Sequence, residues 1–318
     1  MTEKILILDF GSQYTQLIAR AVREANVYCE IQPFHNAIVF DEHLKGVILS
    51  GSPASVNEDE APNVDIQAIL AKLPLLTICY GAQLSAKNFG GKVEKSNKRE
   101  YGRAQLRIKK DDIIFKNIPD NSQVWMSHSD SITVLPENFE LLADTDSIPV
   151  AGFRKIADQG NSLHGFQFHP EVYHSSEGKT MIRNFLVEIC GCKQNWTPAS
   201  FVNETVAQLK EQIGDGHVIM ALSGGVDSTV AATLIHKAIG NRLHGIFVDN
   251  GVLRKDEFQQ VLDMYQKIGL NVKGIDAKNM FYDALAGKSD PEEKRKIIGK
   301  LFIDVLQIEA SNMLEAKF

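Results

Sequence analysis

Short apolar runs, each followed by a glycine-bearing turn and a helix-like stretch, set the tightest limit on how this chain can fold. Residues Lys4 to Asp9 form the first run, which is apolar almost throughout and shows no polar alternation. A strand without alternation is covered on both faces, as parallel strands are. Phe10-Gly11-Ser12-Gln13-Tyr14 turns it, and Thr15 to Ala25 reads as a helix. Val27 to Phe34, Gly46 to Ser50 and Leu75 to Cys79 suit three further strands, with a helix-like Val64 to Lys72 before the last. Strands alternating with helices predict an α/β fold on a doubly wound, mostly parallel sheet. Ligands of such sheets gather at the carboxyl ends of the strands.

Two loops fall there, Ser50-Gly51-Ser52-Pro53 and Cys79-Tyr80-Gly81-Ala82-Gln83. Cys79 closes the apolar run, Gly81 stands two residues on, and a helix is expected from about Gln83. That is the pattern of a nucleophile elbow, in which a sharp strand-to-helix turn exposes the side chain and the helix start favours the thiolate. Alone, a cysteine after an apolar strand is more often an inert core residue, so a base must be found. Leu163 to Glu171 reads as a strand ending in His169-Pro170-Glu171. Side chains two apart on a strand point the same way, and Pro170 fixes the turn between them. Glu171 can thus hold His169 in the tautomer that takes a proton from Cys79. His128, His164 and His174 are competing bases. His164 lies inside a strand, and His174 has no adjacent orienting acid.

A second α/β pattern follows. The apolar run Val218 to Leu222 leads into Ser223-Gly224-Gly225-Val226-Asp227-Ser228 and a helix-like Thr229 to Ile239. Paired glycines let a backbone approach a ligand closely, and free N–H groups at a helix start attract phosphate. Ser223 and Ser228 add hydroxyls, and Asp227 could orient the loop or help hold a metal on the phosphates. A Walker loop would need a lysine, and none stands here. Leu243 to Val248 and Val272 to Asp276 suit strands, and Phe201 to Ile213 and Glu257 to Ile268 suit helices. Residues 287–296 are charged and read as a solvated helix start capped by Asp290. Beyond them Ile297, Ile298, Leu301, Phe302, Val305 and Leu306 repeat at helical spacing.

The 318 residues suffice for two cores, expected as domains at 1–193 and 201–318 with a linker at 194–200. The net charge of −6 implies no basic face, which weighs against nucleic acid as a partner. No apolar run is long enough for a membrane span, and the opening residues lack the plan of a signal peptide. Cys29, Cys79, Cys190 and Cys192 are too few and scattered for a disulfide framework, and no second cluster beside Cys190 and Cys192 suggests zinc. A cytoplasmic protein is expected.

Cys79-Tyr80-Gly81-Ala82-Gln83, followed by Phe168-His169-Pro170-Glu171, resembles the class I, triad-type glutamine amidotransferases. The Ser223 to Ser228 string resembles the pyrophosphate loop of the ATP pyrophosphatases. The opening run from Ile7 to Gln16, Trp125 to Asp130, Phe247 to Arg254 and the domain order are similar to the GMP synthetase family. This resemblance implies a flavodoxin-like amidotransferase domain followed by an adenine-nucleotide alpha-hydrolase-like domain. It implies that Cys79 attacks the glutamine amide, His169 shuttles the proton to departing ammonia, and Glu171 orients His169. Backbone N–H groups at Ser52 and Tyr80 would form the oxyanion hole. Gly51, Gln83 and a loop of Ser127, His128, Ser129 and Asp130 are candidates for holding glutamine. Serine at 52 and 129 departs from the family's usual glycine, which matters only if those positions need positive φ.

For the second domain the resemblance implies ATP on Ser223, Gly224, Gly225, Val226, Asp227 and Ser228, with adenosine near Val248. Mg²⁺ would neutralise the pyrophosphate, with Asp227 a candidate ligand, and xanthosine monophosphate (XMP) would accept the ammonia. Residues 287–296 fall in what is a mobile lid in that family. The family also continues past this length with further strands, XMP-binding residues and a dimerisation domain. The chain is therefore expected to be a fragment that keeps at most glutaminase activity, its sheet edge and the helix face from Ile297 to Leu306 left uncovered. Two alternatives stand beside this reading: a glutamine-dependent ATP pyrophosphatase with another ammonia acceptor, and a non-catalytic glutamine- or nucleotide-binding module.

Overall fold

The computed structural model describes residues 2–156 and 160–311, with the backbone alone at 96–100 and 156. The chain divides into two compact units, Met1–Thr197 and Pro198–Phe318. In the first, β1 (Lys4–Asp9), α1 (Thr15–Glu24), β2 (Tyr28–Pro33), β3 (Leu44–Leu49), α2 (Ile66–Leu70), β4 (Leu75–Ile78) and α3 (Tyr80–Asn88) follow the expected alternation. Next come β5 (Lys92–Ile108), β6 (Ser122–Val134), β7 (Glu140–Asp144), β8 (Gly152–Ile156), β9 (Ser162–Phe166) and α4 (Gly178–Asn184).

These strands form one sheet in the order β2-β1-β3-β4-β9-β8-β7-β5-β6. The first five pair in parallel, and the remaining four extend the sheet with antiparallel pairing. Side chains of β1 show why the run is apolar: Ile5 and Ile7 enter one core layer with Ile18, Val22 and Phe185, while Leu6 and Leu8 enter the opposite layer with Ile66 and Leu84. Burial on both faces removes the alternation a half-exposed strand would show. Connections leave β1 and β3 in opposite directions, so a crevice opens at their carboxyl ends. Fully buried Ser50 bridges it, its hydroxyl accepting from the Phe10 N–H at 3.0 Å and donating to the Gly51 carbonyl at 2.9 Å.

Three expectations need correction. α3 begins at Tyr80, not near Gln83, because the turn is confined to Cys79 itself. His169 and Glu171 lie beyond β9, which ends at Phe166, so strand alternation does not align them. The 127–130 segment, expected as a loop, is part of β6 and pairs with β5 across a register shift between Lys95 and Glu100. Trp196, within the expected linker, is buried against the first unit, and its N–H bonds the Asn26 carbonyl at 2.9 Å.

The second unit contains α5 (Pro198–Ile213), β10 (Val218–Leu222), α6 (Val226–Ile239), β11 (Leu243–Asp249), α7 (Glu257–Lys267), β12 (Val272–Asp276), α8 (Lys278–Leu285) and α9 (Pro291–Ser311). Its parallel sheet has the order β10-β11-β12. Asp290 caps α9 as expected, accepting from the Glu293 N–H at 2.7 Å. The apolar face of α9 is not left bare. Val305, Ile298, Leu301, Phe302 and Leu306 pack on Ile246, Val248 and Phe281, with the Phe281 and Phe302 rings 5.2 Å apart. The turn after α8 folds α9 back over β11, which the helical spacing alone could not show. Among the described residues no helix is long and apolar enough to cross a membrane.

Phe281 is fully buried at the centre of this packing. Phe281→Ala is expected to destabilise the second unit by about 3–5 kcal/mol. Hydrogen exchange should quicken across α8, α9 and β11 and stay unchanged in the first unit. Unchanged exchange in α9 would contradict the assigned packing.

Candidate functional site

Cys79 sits at the carboxyl end of β4 with φ +51° and ψ −103°. A non-glycine residue held there costs on the order of 1–3 kcal/mol and needs support from its surroundings. That support is visible. The Cys79 N–H donates to the Phe166 carbonyl at 2.7 Å, and the Gly81 N–H donates to the Ser50 carbonyl at 3.2 Å. A Cβ on Gly81 would lie 2.8 Å from Leu49 Cβ and 3.0 Å from its carbonyl oxygen. Only glycine lets α3 start this close to β3. Tyr80 anchors the other side, its hydroxyl donating to the Pro62 carbonyl at 2.6 Å. As the first helical residue, Tyr80 has no i−4 acceptor for its N–H within α3.

His169 reaches Cys79 from the loop after β9. Its own N–H donates to the Trp125 carbonyl at 2.9 Å, and its carbonyl accepts from the Ser175 hydroxyl at 2.5 Å. Imidazole Nδ1 lies 2.7 Å from Glu171 Oε1, with both side chains almost wholly buried. The carboxylate accepts, so Nδ1 carries the proton and Nε2 is the atom left for chemistry. Burial opposes a charge on His169, but the Glu171 carboxylate and Cys79 outweigh it and raise the imidazole well above its ordinary pKa. The ring is held again by Tyr14, whose ring meets it edge-on at 5.0 Å.

The competing histidines separate clearly. His164 Nε2 bonds buried Asp112 at 3.1 Å, and His174 stacks on Trp125 at 4.5 Å. His128 does face the site. Burial, supported by the nearby charge of His169 and opposed by Asp130, pushes it down to about 4. It is therefore neutral at pH 7, and neither ring nitrogen has a partner among the described residues.

A cavity of about 450 Å³ opens over Cys79. Gly51, Ser52, Tyr80 and Gln83 line it, as do Ser127, His128, Ser129, Asp130 and His169. Glu171 stands behind His169 and outside the lining. Gln83 Nε2 is occupied, donating to the Asp130 carbonyl at 2.7 Å, while Asp130 Oδ2 accepts from the Ser55 hydroxyl. Gln83 thus braces β6 against α3, and Asp130 ties β6 to the loop after β3. Neither Ser52 nor Ser129 is among the residues with positive φ, so serine at either position carries no backbone strain. Tyr14, Ser12, Gln13 and Tyr101 also line the cavity and were missed from the sequence. The switch-point rule could have found the first three, since their turn follows β1; nothing in the sequence marked Tyr101.

The Ser223 to Ser228 loop stands in the second unit, at the carboxyl end of β10. Gly224 has φ +75°, and Gly225 caps α6. The hydroxyls of Ser223 and Ser228 are 3.0 Å apart, and Asp227 is exposed in the first turn of α6. Val248 lies buried in β11 on the neighbouring strand. Among the described residues no three His, Cys, Asp or Glu side chains converge as a metal cluster.

The glutamine amidotransferase class-I profile matches residues 6–189, over half of the chain, and the NAD synthase profile matches residues 199–300. Among curated proteins, a GMP synthase [glutamine-hydrolyzing] of Cytophaga hutchinsonii is 57% identical, covering 100% of this chain and 62% of that protein. One of Bacteroides fragilis is 54% identical with the same coverage. This chain thus spans about three fifths of the length of these relatives. A crystal structure of a glutamine amidotransferase from Thermotoga maritima is 20% identical, with a TM-score of 0.50, covering 60% of this chain and 99% of that one. That likeness shows the fold of the first unit. The match over residues 6–189, which spans the Cys79 elbow and the His169–Glu171 pair, places the chain in the class-I glutamine amidotransferase family.

Proposed function

We propose that the first unit hydrolyses glutamine at Cys79 and that the whole protein uses the ammonia to convert XMP to GMP. The strained Cys79 turn beside the buried His169–Glu171 pair carries this reading. In it, the Cys79 thiolate adds to the glutamine side-chain amide carbon, and His169 gives its Nε2 proton to the departing ammonia. Water then cleaves the thioester to release glutamate. The N–H groups of Ser52 and Tyr80 receive the negative charge on the carbonyl oxygen. His128, neutral and unpartnered, offers a hydrogen bond to the substrate in the cavity, with Gly51, Ser127 and Ser129 around it. Gln83 and Asp130 act by holding those residues in place.

In the second unit, residues Ser223 to Ser228 would hold the phosphates of ATP and Val248 would lie near its adenosine. Mg²⁺, bound through the phosphates with Asp227 beside it, would neutralise the pyrophosphate as it leaves. The acceptor XMP comes from likeness to the GMP synthases. A different acceptor is the second reading, favoured by the NAD synthase profile over residues 199–300. A cytoplasmic location fits either.

Ammonia release from glutamine should fall by at least about a thousandfold in Cys79→Ala, as loss of a nucleophile does. The assay is run with and without ATP, Mg²⁺ and XMP, with GMP measured in the same tubes. Ammonia release that survives in Cys79→Ala would reject the assignment. Glu171→Gln removes the charge that raises His169. The imidazole should then titrate at lower pH by NMR, and an unmoved titration would contradict the pairing.

A further inference from the structure

The phosphate loop is mostly open to solvent, yet one of its peptides is tied to the interior. Tyr265, on α7, is fully buried, and its hydroxyl accepts from the Gly224 N–H at 3.1 Å. The same hydroxyl lies 3.3 Å from Thr229 Oγ1. Thr229 spends its own proton on the Gly225 carbonyl, at 2.7 Å. Donor directions then follow without choice: Gly224 N–H to Tyr265 Oη, Tyr265 O–H to Thr229 Oγ1, Thr229 O–H to Gly225 O. This closed run links the left-handed Gly224 to the first turn of α6 through one side chain of a third element. Packing acts in the same direction, since a Cβ on Gly224 would lie 3.0 Å from Val261, one turn before Tyr265 on α7.

We propose that Tyr265 is a positioning residue for phosphate binding, fixing the Gly224 peptide so that the following N–H groups and the Ser223 and Ser228 hydroxyls face the ligand. The inference rests on the ATP reading of the second unit. Holding Gly224 inward commits its N–H to the protein and leaves the N–H groups of Val226 and Asp227, which have no i−4 acceptor within α6, to the phosphates. With the loop otherwise exposed, this preformed shape spares the ligand the cost of ordering it. Val248, near which adenosine is expected, is followed by a segment that runs directly into α7, with the Arg254 N–H on Glu257 Oε2 at 2.7 Å. Helix α7 thus supports both ends of the nucleotide.

The test is calorimetric titration of the full chain with ATP, inorganic pyrophosphate and adenosine, comparing the unaltered protein with Tyr265→Phe. Phenylalanine keeps the buried ring and removes only the hydroxyl. Affinity for ATP and pyrophosphate should drop roughly fivefold to tenfold, the worth of one lost hydrogen bond, while adenosine affinity stays the same. Equal ATP affinity in both proteins would overturn the role of Tyr265 alone. A parallel loss of adenosine affinity would overturn it too, by showing general damage to the fold. No ATP or pyrophosphate binding by the unaltered chain would overturn the ATP reading and this inference with it.

Discussion

The turn at Cys79 is the constraint on which the first unit's chemistry depends. A residue with φ +51° persists only if its neighbours leave no relaxed alternative. Here β9 takes the Cys79 N–H, Ser50 just past β3 takes the Gly81 N–H, and the Tyr80 hydroxyl is anchored at Pro62. The strain of about 1–3 kcal/mol is small beside the burial around it, because Leu49, Leu76, Ile78 and Phe166 are all fully enclosed. The same turn directs the thiol into the cavity and frees the first N–H groups of α3. Position, exposure and electrostatics of the sulfur thus share one cause.

His169 is held by an independent device. His169 is set by backbone bonds to Trp125 and Ser175, by Glu171 at Nδ1 and by the ring of Tyr14. Gly178 shows how closely that loop is packed, since a Cβ there would lie 1.9 Å from the Pro170 carbonyl oxygen. On the opposite wall, Gln83 and Asp130 spend their polar atoms on the frame. His128 alone among these groups keeps two buried, unpartnered nitrogens. The polarity of the cavity is therefore divided between braces and groups left for a ligand.

Much of this was legible because the chemistry is local. Lys4 to Asp9 and Val218 to Leu222 are strands with the limits expected of them, since continuous apolar runs leave little freedom in where they end, and Val272 to Asp276 also keeps its expected limits. Cys79, Gly81, His169 and Glu171 could be read as a set because an elbow and an oriented base need those residue types. The alignment of His169 with Glu171 was expected from strand alternation, yet it arises from a loop fixed by bonds to distant residues. The 127–130 segment looked like a loop because it is polar, but its backbone is satisfied by β5. Tyr14 and Tyr101 enter the site through topology, and the cover over the α9 face through a turn between helices. Neither leaves a periodic trace. Tyr265 likewise sits in an ordinary amphipathic helix, where nothing local separates a core tyrosine from one that holds a loop.

We propose that Cys79 is the activated thiol among the four free cysteines. Burial raises Cys29 to about 11 and Cys192 to about 12, and raises Cys190 well above the ordinary range. The most direct measurement is peptide mapping after brief exposure, at neutral pH, to an electrophilic glutamine analogue, with excess glutamine as competitor. Cys79 alone should be labelled rapidly, and glutamine should suppress the labelling. Slow labelling spread over Cys29, Cys190 and Cys192, or labelling of Cys79 indifferent to glutamine, would contradict it.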